Sequence, residues 1–260
     1  MLKRLIGVIT VRDNWAVQSI GYKKYLPLGR PEVIAENFDR WQLDEILIVD
    51  ITRSKHNKGP NFKMLEKIAT KKIMTPLCYT GGIRGKYDAI NLISCGADRL
   101  GIDSLFRHNQ DEAHSISDAI GRQAVVRVQP VKFEKSDVFI YDYLSKTNVK
   151  KLKLDELEKT SEFFSELMIV DTKNEGSFKS FNKKILNPFK GKNIQVICFG
   201  GITSKKQIKD LFDYKEVSAV AIGNSLSYRE IPSKKLLDQT EVDIVRQTDF
   251  GLVTKGAREW

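Results

Sequence analysis

The chain has 260 residues, enough for one large core or two small ones. Hydrophobic residues make up 41% and charged residues 29%, the balance of a soluble globular protein, and no apolar run approaches the roughly 18 residues a membrane helix needs. A net charge of +10 is spread over scattered lysine pairs such as Lys23-Lys24, Lys71-Lys72 and Lys150-Lys151, which suits an anionic substrate or acidic partner better than a nucleic acid.

In chain order, the apolar run Leu5 to Val11 predicts a buried parallel strand. Arg12 to Arg30 is polar and holds Gly21, Pro27 and Gly29, so it predicts a long first loop. Pro31 to Leu43 predicts a helix, with Val33, Ile34, Phe38 and Trp41 on one side and proline in its first turn. Ile46 to Ile51 predicts the second strand, Thr52 to Asn61 a polar loop and Phe62 to Ala69 a helix.

Pro76 to Ser104 then reads as one strand–helix–strand unit, with a glycine pair, Gly81-Gly82, after the first strand. Asp111 to Ile120 predicts a helix and Ala124 to Val128 the fifth strand. Val131 to Val149 is irregular, and the alternation in VFIYDYL predicts a small hairpin inserted after that strand. Leu152 to Glu166 predicts a helix, Leu167 to Val170 the sixth strand and Asp171 to Phe181 a loop. Val196 to Ser225 is a second strand–helix–strand unit with its own pair, Gly200-Gly201. Glu241 to Gln247 predicts part of a last helix and Lys255 to Trp260 a tail.

The two units match each other. Ile83 and Ile202 stand 119 positions apart, and Ile102 and Ile222 stand 120 apart. EILIVD, ending in Asp50, and ELMIVD, ending in Asp171, are offset by 121. Two matches at nearly one offset imply a duplicated half of about 120 residues with four βα units each. The expected fold is a TIM (β/α)8 barrel of two half-barrels, about 1–121 and 122–250, with a tail over 251–260.

In such barrels chemistry sits at the C-terminal ends of the strands. Four ends there carry glycine or small polar residues: Gly81-Gly82, Asp103-Ser104, Gly200-Gly201 and Gly223-Asn224. Backbone N–H groups at such turns approach an anion closely, so the pattern predicts two phosphate cradles and a substrate with a phosphate near each end; the bland alternative is tight turns alone. Asp50 and Asp171 end equivalent strands, either for acid–base work or simply hydrogen-bonded to the floor of the site. Cys78, Cys95 and Cys198 show no CxxC spacing and read as reduced thiols, with Cys78 and Cys198 at equivalent places of the two halves. His56, His108 and His114 form no ligand pair, so no metal and no cofactor are expected.

RLIGVITVRD at the start, DEILIVDIT, CYTGGI, GADRLGID, GRQAVV, ELMIVDTKNEGS, FGGI and YREI together resemble the cyclase subunit of imidazole glycerol phosphate synthase, the HisF family, over nearly the full length. The resemblance implies a cytoplasmic subunit that works with a HisH-like glutaminase. Ammonia would enter the bottom of the barrel and react at the top with a bis-phosphorylated substrate.

It places the charged entrance ring on Arg4, Glu45, Arg99 and Glu166, the glutaminase-facing position on Asp98, and phosphate binding on Gly82, Asp103, Ser104, Gly176, Gly201, Gly223 and Asn224. The family's two acid–base aspartates fall on Thr10 and Pro130, neither of which shuttles protons near neutral pH. The family's loop lysine falls on Gln18. A branch that also lacks the first aspartate shares the Asn57 to Phe62 loop and the Pro76 to Ile83 strand. That branch is associated with surface-sugar pathways, and it implies a nucleotide-activated sugar as acceptor and a sugar-amidinating ligase as further partner. Three roles follow as expectations: an ammonia-channelling synthase subunit, a true cyclase, or a scaffold that activates a glutaminase.

Overall fold

The computed structural model describes residues 2–56, 58–143 and 145–227. The last helix and the tail expected beyond Ser227, and the YREI segment, lie outside those residues. Among the described residues twelve strands form one sheet: β1 (Arg4–Arg12), β2 (Trp15–Ile20), β3 (Lys24–Gly29), β4 (Glu45–Asp50), β5 (Leu77–Thr80), β6 (Arg99–Ile102), β7 (Val125–Glu134), β8 (Asp137–Asp142), β9 (Thr147–Lys151), β10 (Glu166–Asp171), β11 (Val196–Phe199) and β12 (Val217–Ile222).

Eight of them close on themselves in parallel, in the order β1-β4-β5-β6-β7-β10-β11-β12 and back to β1. The fold is a TIM (β/α)8 barrel. Its connecting helices are α1 (Pro31–Arg40), α2 (Ile51–Lys55), α3 (Phe62–Ala69), α4 (Lys86–Ser94), α5 (Ser104–His108), α6 (Gln110–Ile120), α7 (Leu154–Glu158) and α8 (Lys205–Phe212).

Strand alternation splits the core in two. One set of side chains, including Leu5, Ile9, Ile46, Ile48, Tyr79, Leu100, Leu167, Ile169 and Cys198, packs outward against the helices. The other fills the barrel: Ile6, Val8, Leu47, Cys78, Val126, Val128, Met168, Val170, Ile197, Phe199, Ala219 and Ala221. Cys78 therefore faces inward and Cys198 outward. The expectation that they are equivalent is overturned by one residue of register: aligning Gly81 with Gly200 pairs Cys78 with Ile197 and Tyr79 with Cys198, and one step along a strand reverses the face.

The long first loop is instead a hairpin. Asp13 and Asn14 both have positive φ, 50° and 68°, the two-residue turn that suits the twist of antiparallel strands. β2 pairs β1 through Val11 with Ala16, and β3 pairs β2 from Ala16 to Ile20. Pro27 lies in β3, which among the described residues pairs only β2, and an edge strand tolerates a missing N–H. After β7 the chain repeats the device. Lys135 and Ser136 take positive φ, β8 turns back on β7, and β9 lines its outer edge, so the predicted hairpin is part of a three-strand meander.

Two further expectations change. The polar loop after β4 opens with a helical turn, α2, in which the Thr52 N–H donates to the Asp50 carboxylate. The helix expected over Leu152 to Glu166 stops at Glu158, where Thr160 Oγ1 bonds back to the carbonyls of Glu156 and Leu157.

Candidate functional site

The N-terminal ends of four strands meet at the bottom of the barrel. Arg4 opens β1, Glu45 opens β4, Arg99 opens β6 and Glu166 opens β10. They form a closed ring of alternating charge. Arg4 reaches Glu166 at 2.7 Å and Glu45 at 3.4 Å, while Arg99 reaches Glu45 at 3.1 Å and Glu166 at 2.7 Å. Ser218 on β12 donates to Glu166, and Arg99 also holds the Ser165 hydroxyl at 2.9 Å.

Charges at this depth are tolerable because each carboxylate meets two guanidinium groups. Burial pushes the Glu45 carboxyl up despite its arginines, whereas for Glu166 the two arginines and Ser218 outweigh burial and hold it below the usual range. Above the ring lies the apolar barrel interior, beginning with Ile6, Leu47, Cys78, Val126, Met168 and Ile197. Asp98 sits exposed at the same end, one residue before β6, and accepts the Leu77 N–H at 2.7 Å.

At the opposite end lies a cavity of about 470 Å³. Gly81, Gly82, Asp103 and Ser104 line it, as do Asp50 and Pro130, with Arg12, Lys23, His56 and Lys146 supplying positive or titratable groups. A smaller cavity of about 30 Å³ is lined by Gly176, Gly200, Gly201, Gly223 and Asn224, together with Thr10 and Gln18. The predicted phosphate-binding residues thus fall into two groups, one from each repeated unit.

The glycine pairs are forced by packing. A Cβ on Gly81 would stand 2.3 Å from the Asp50 carbonyl, and one on Gly200 would stand 2.6 Å from the Asp171 carbonyl, with φ at +127° and +120°. The two aspartates hold loops. Asp50 accepts Thr52 N–H at 3.1 Å and Arg53 Nε at 3.4 Å; Asp171 accepts Asn174 Nδ2 at 2.7 Å and Asn182 N–H at 3.0 Å. Burial raises both carboxyls above their ordinary value, and these hydrogen bonds pull the other way. Of the pair, Asp50 lines the large cavity and Asp171 does not.

Both meanders reach the mouth. Tyr22 and Gly21, in the turn between β2 and β3, lean on the loop after β10: Tyr22 N–H and Ser19 Oγ both donate to Glu175 at 3.1 Å, and Gly21 N–H donates to the Glu175 carbonyl at 3.0 Å. Ser19 N–H donates to Asn224 Oδ1 at 3.2 Å, which ties the hairpin to the end of β12. Tyr143, just past β8, lines the large cavity together with Ser54 of α2. Tyr22 and Tyr143 are 121 positions apart, and so are Ser54 and Glu175. The two tyrosines thus stand at equivalent places of the two halves, and both line the large cavity. Periodicity searches for glycine and aspartate pass over this pair, although its spacing equals the repeat offset.

Among the described residues no group of three or more His, Cys, Asp or Glu side chains could hold a metal ion. His114 stacks on Phe163, with ring centres 3.4 Å apart. No helix of the described residues is long and apolar enough to cross a membrane.

The model of a family described as histidine biosynthesis protein matches residues 4–232, from the first ring residue to beyond the second glycine pair. The chain belongs to that family. Within it, the chain is 27% identical over 241 residues to the imidazole glycerol phosphate synthase subunit HisF of Natranaerobius thermophilus, covering 91% of this chain and 94% of the relative. It is 29% identical over 215 residues to a Vibrio vulnificus relative that carries the subunit name hisF2, covering 81% and 78%. A Pseudomonas aeruginosa relative also named hisF2 is 26% identical over 227 residues, covering 85% and 89%. The protein is thus a HisF-like histidine biosynthesis family barrel, and its likeness extends to synthase subunits of both names.

Proposed function

We propose that this chain is the ammonia-accepting synthase subunit of a glutamine-dependent complex, with a glutaminase docked beneath the barrel near Asp98 and a phosphorylated substrate at the mouth. The observation that carries the reading is the closed ring of Arg4, Glu45, Arg99 and Glu166 under an apolar interior. A ring of paired charges admits a small neutral molecule when one pair parts, and the apolar lining above it disfavours an ion. Ammonia, not ammonium, is the species such a path conducts.

The acceptor we favour is a nucleotide-activated sugar that undergoes amidination. In that reaction ammonia nitrogen bonds to an amide carbon, and the amide oxygen leaves on an activating group supplied by a separate ligase. Thr10 and Pro130 support this over cyclisation. They stand at the mouth ends of β1 and β7, where a cyclase of this family would need proton-shuttling groups worth about 10²- to 10⁴-fold each.

The test is made with the intact partner set. Glu45→Ala is expected to separate glutamine consumption from product formation, while free ammonium still supports turnover. If free ammonium yields no product in the wild-type complex, the reading fails. Appreciable conversion of the histidine-pathway intermediate by the purified chain with ammonium would restore the cyclase instead.

A further inference from the structure

The ionisable lining of the large cavity does not balance. Each of its three carboxylates meets an arginine: Asp13 takes Arg12 Nε at 3.5 Å, Asp50 takes Arg53 Nε at 3.4 Å and Asp103 takes Arg107 Nη2 at 3.0 Å. Arg127 adds positive charge near Asp103. Two lysines of the same lining, Lys23 and Lys146, enter no ion pair and no side-chain hydrogen bond among the described residues. The lining therefore carries cations beyond its internal pairs.

Both lysines sit on turns whose backbone is fixed from beneath. Lys23 follows Tyr22 in the turn between β2 and β3. Tyr22 N–H donates to Glu175, which is 3% exposed, and Lys23 N–H closes the turn on the Ile20 carbonyl at 3.1 Å. Lys146 lies in the turn between β8 and β9. There Asp142 Oδ2 accepts Ser145 N–H at 3.1 Å, and its Oδ1 accepts Nη1 of the buried Arg107 at 3.2 Å. A lysine on a fixed turn gives up only its own side-chain freedom when it meets an anion, which lowers the entropic cost of binding. Gly82 and Ser104, two of the residues expected to bind phosphate, line this same cavity, whereas Gly176, Gly201 and Gly223 line the small one.

We propose that Lys23 and Lys146 form an anion subsite at the rim of the large cavity, and that it takes the outer phosphoryl group of a diphosphate whose inner group lies at Gly82 and Ser104. Lysine suits the outer position, since its ammonium is a compact point charge with three donors on a flexible stem. A vicinal diphosphate fits within this one cavity, whereas phosphates at the two ends of a longer molecule would divide between the two cavities. The substrate class is then a diphosphate ester, the form in which a nucleotide-activated sugar carries its charge. This rests on the reading that the mouth is the substrate site and names the part of the substrate held there.

The experiment is calorimetric titration of the full chain with inorganic phosphate and inorganic pyrophosphate, in metal-free buffer of low ionic strength so that the exposed lysines are not screened. The wild-type chain is expected to bind pyrophosphate at least tenfold more tightly than phosphate. The double variant Lys23→Ala with Lys146→Ala is expected to bring the two within threefold, with phosphate affinity itself changed less than threefold. Equal binding of the two anions by the wild-type chain overturns the subsite and leaves the reading of the mouth standing. A folded double variant that keeps the tenfold preference does the same. Binding of neither anion overturns both. The ammonia path is judged separately by the Glu45→Ala uncoupling at the other end of the barrel.

Discussion

Replacing Glu45 by alanine is the sharpest perturbation of the ring. Glu45 is 3% exposed, accepts Arg99 at 3.1 Å and 3.2 Å, and meets Arg4 at 3.4 Å. Its loss leaves both arginines, at 14% and 21% exposure, facing Glu166 alone. Breaking a buried pair from one side costs about 3–5 kcal/mol. The lower end applies, because Glu166 still bridges both arginines and the raised carboxyl of Glu45 already reflects incomplete compensation. At about 2–4 °C per kcal/mol for a domain of this size, the melting temperature should fall by about 6–12 °C. Differential scanning calorimetry at pH 7 reads this directly. The loss should be smaller for Glu45→Gln, which keeps hydrogen-bond acceptance. A melting temperature within 1 °C of wild type would mean that the ring does not close in solution, and the argument for a gated path would go with it.

Asp103 gives a pH signature. Burial, with Asp142 adding and Arg107 opposing, pushes its carboxyl up to about 7. The folded chain therefore keeps a proton that the unfolded chain loses near pH 3.9, so this group's stabilising effect is complete below that pH and is lost as pH rises to about 7. The ceiling is on the order of 4 kcal/mol. Urea midpoints at pH 5 and pH 8 should converge in Asp103→Asn relative to wild type. Gly200→Ala sets a Cβ 2.6 Å from the Asp171 carbonyl at a φ of +120°, and should cost about 2 kcal/mol or more by urea denaturation. Tyr79→Phe removes the acceptor of Asn61 N–H, 2.9 Å away in the buried core, and should cost about 1–3 kcal/mol while raising amide exchange at Asn61.

Much of the barrel was legible because duplication leaves fixed offsets and because strands buried on both faces read as continuous apolar runs. The ring was legible through the resemblance to the HisF family, and it gained weight because charges at four strand starts are poor core material unless they meet. The hairpin after β1 was not legible, since Asp13-Asn14 lacks the glycine that usually marks such a turn and Pro27 argues against a strand. The cysteines misled because a one-residue register difference is invisible until the facing side chains are seen. Lys23 and Lys146 are plain in the sequence. Their place at one cavity is a product of where the two turns come to rest, and sequence spacing does not encode that.

The outer strands of the two meanders have their own consequence. Among the described residues β3 and β9 each pair on one side only, which leaves two sheet margins at the rim. Such margins invite a neighbouring chain to add a strand. Pro27 interrupts one margin, and Lys150 with Lys151 charges the other. Colloidal behaviour of the protein thus depends on three residues remote from both the charged ring and the substrate, and a change to threonine or valine at the lysines would trade solubility for self-association.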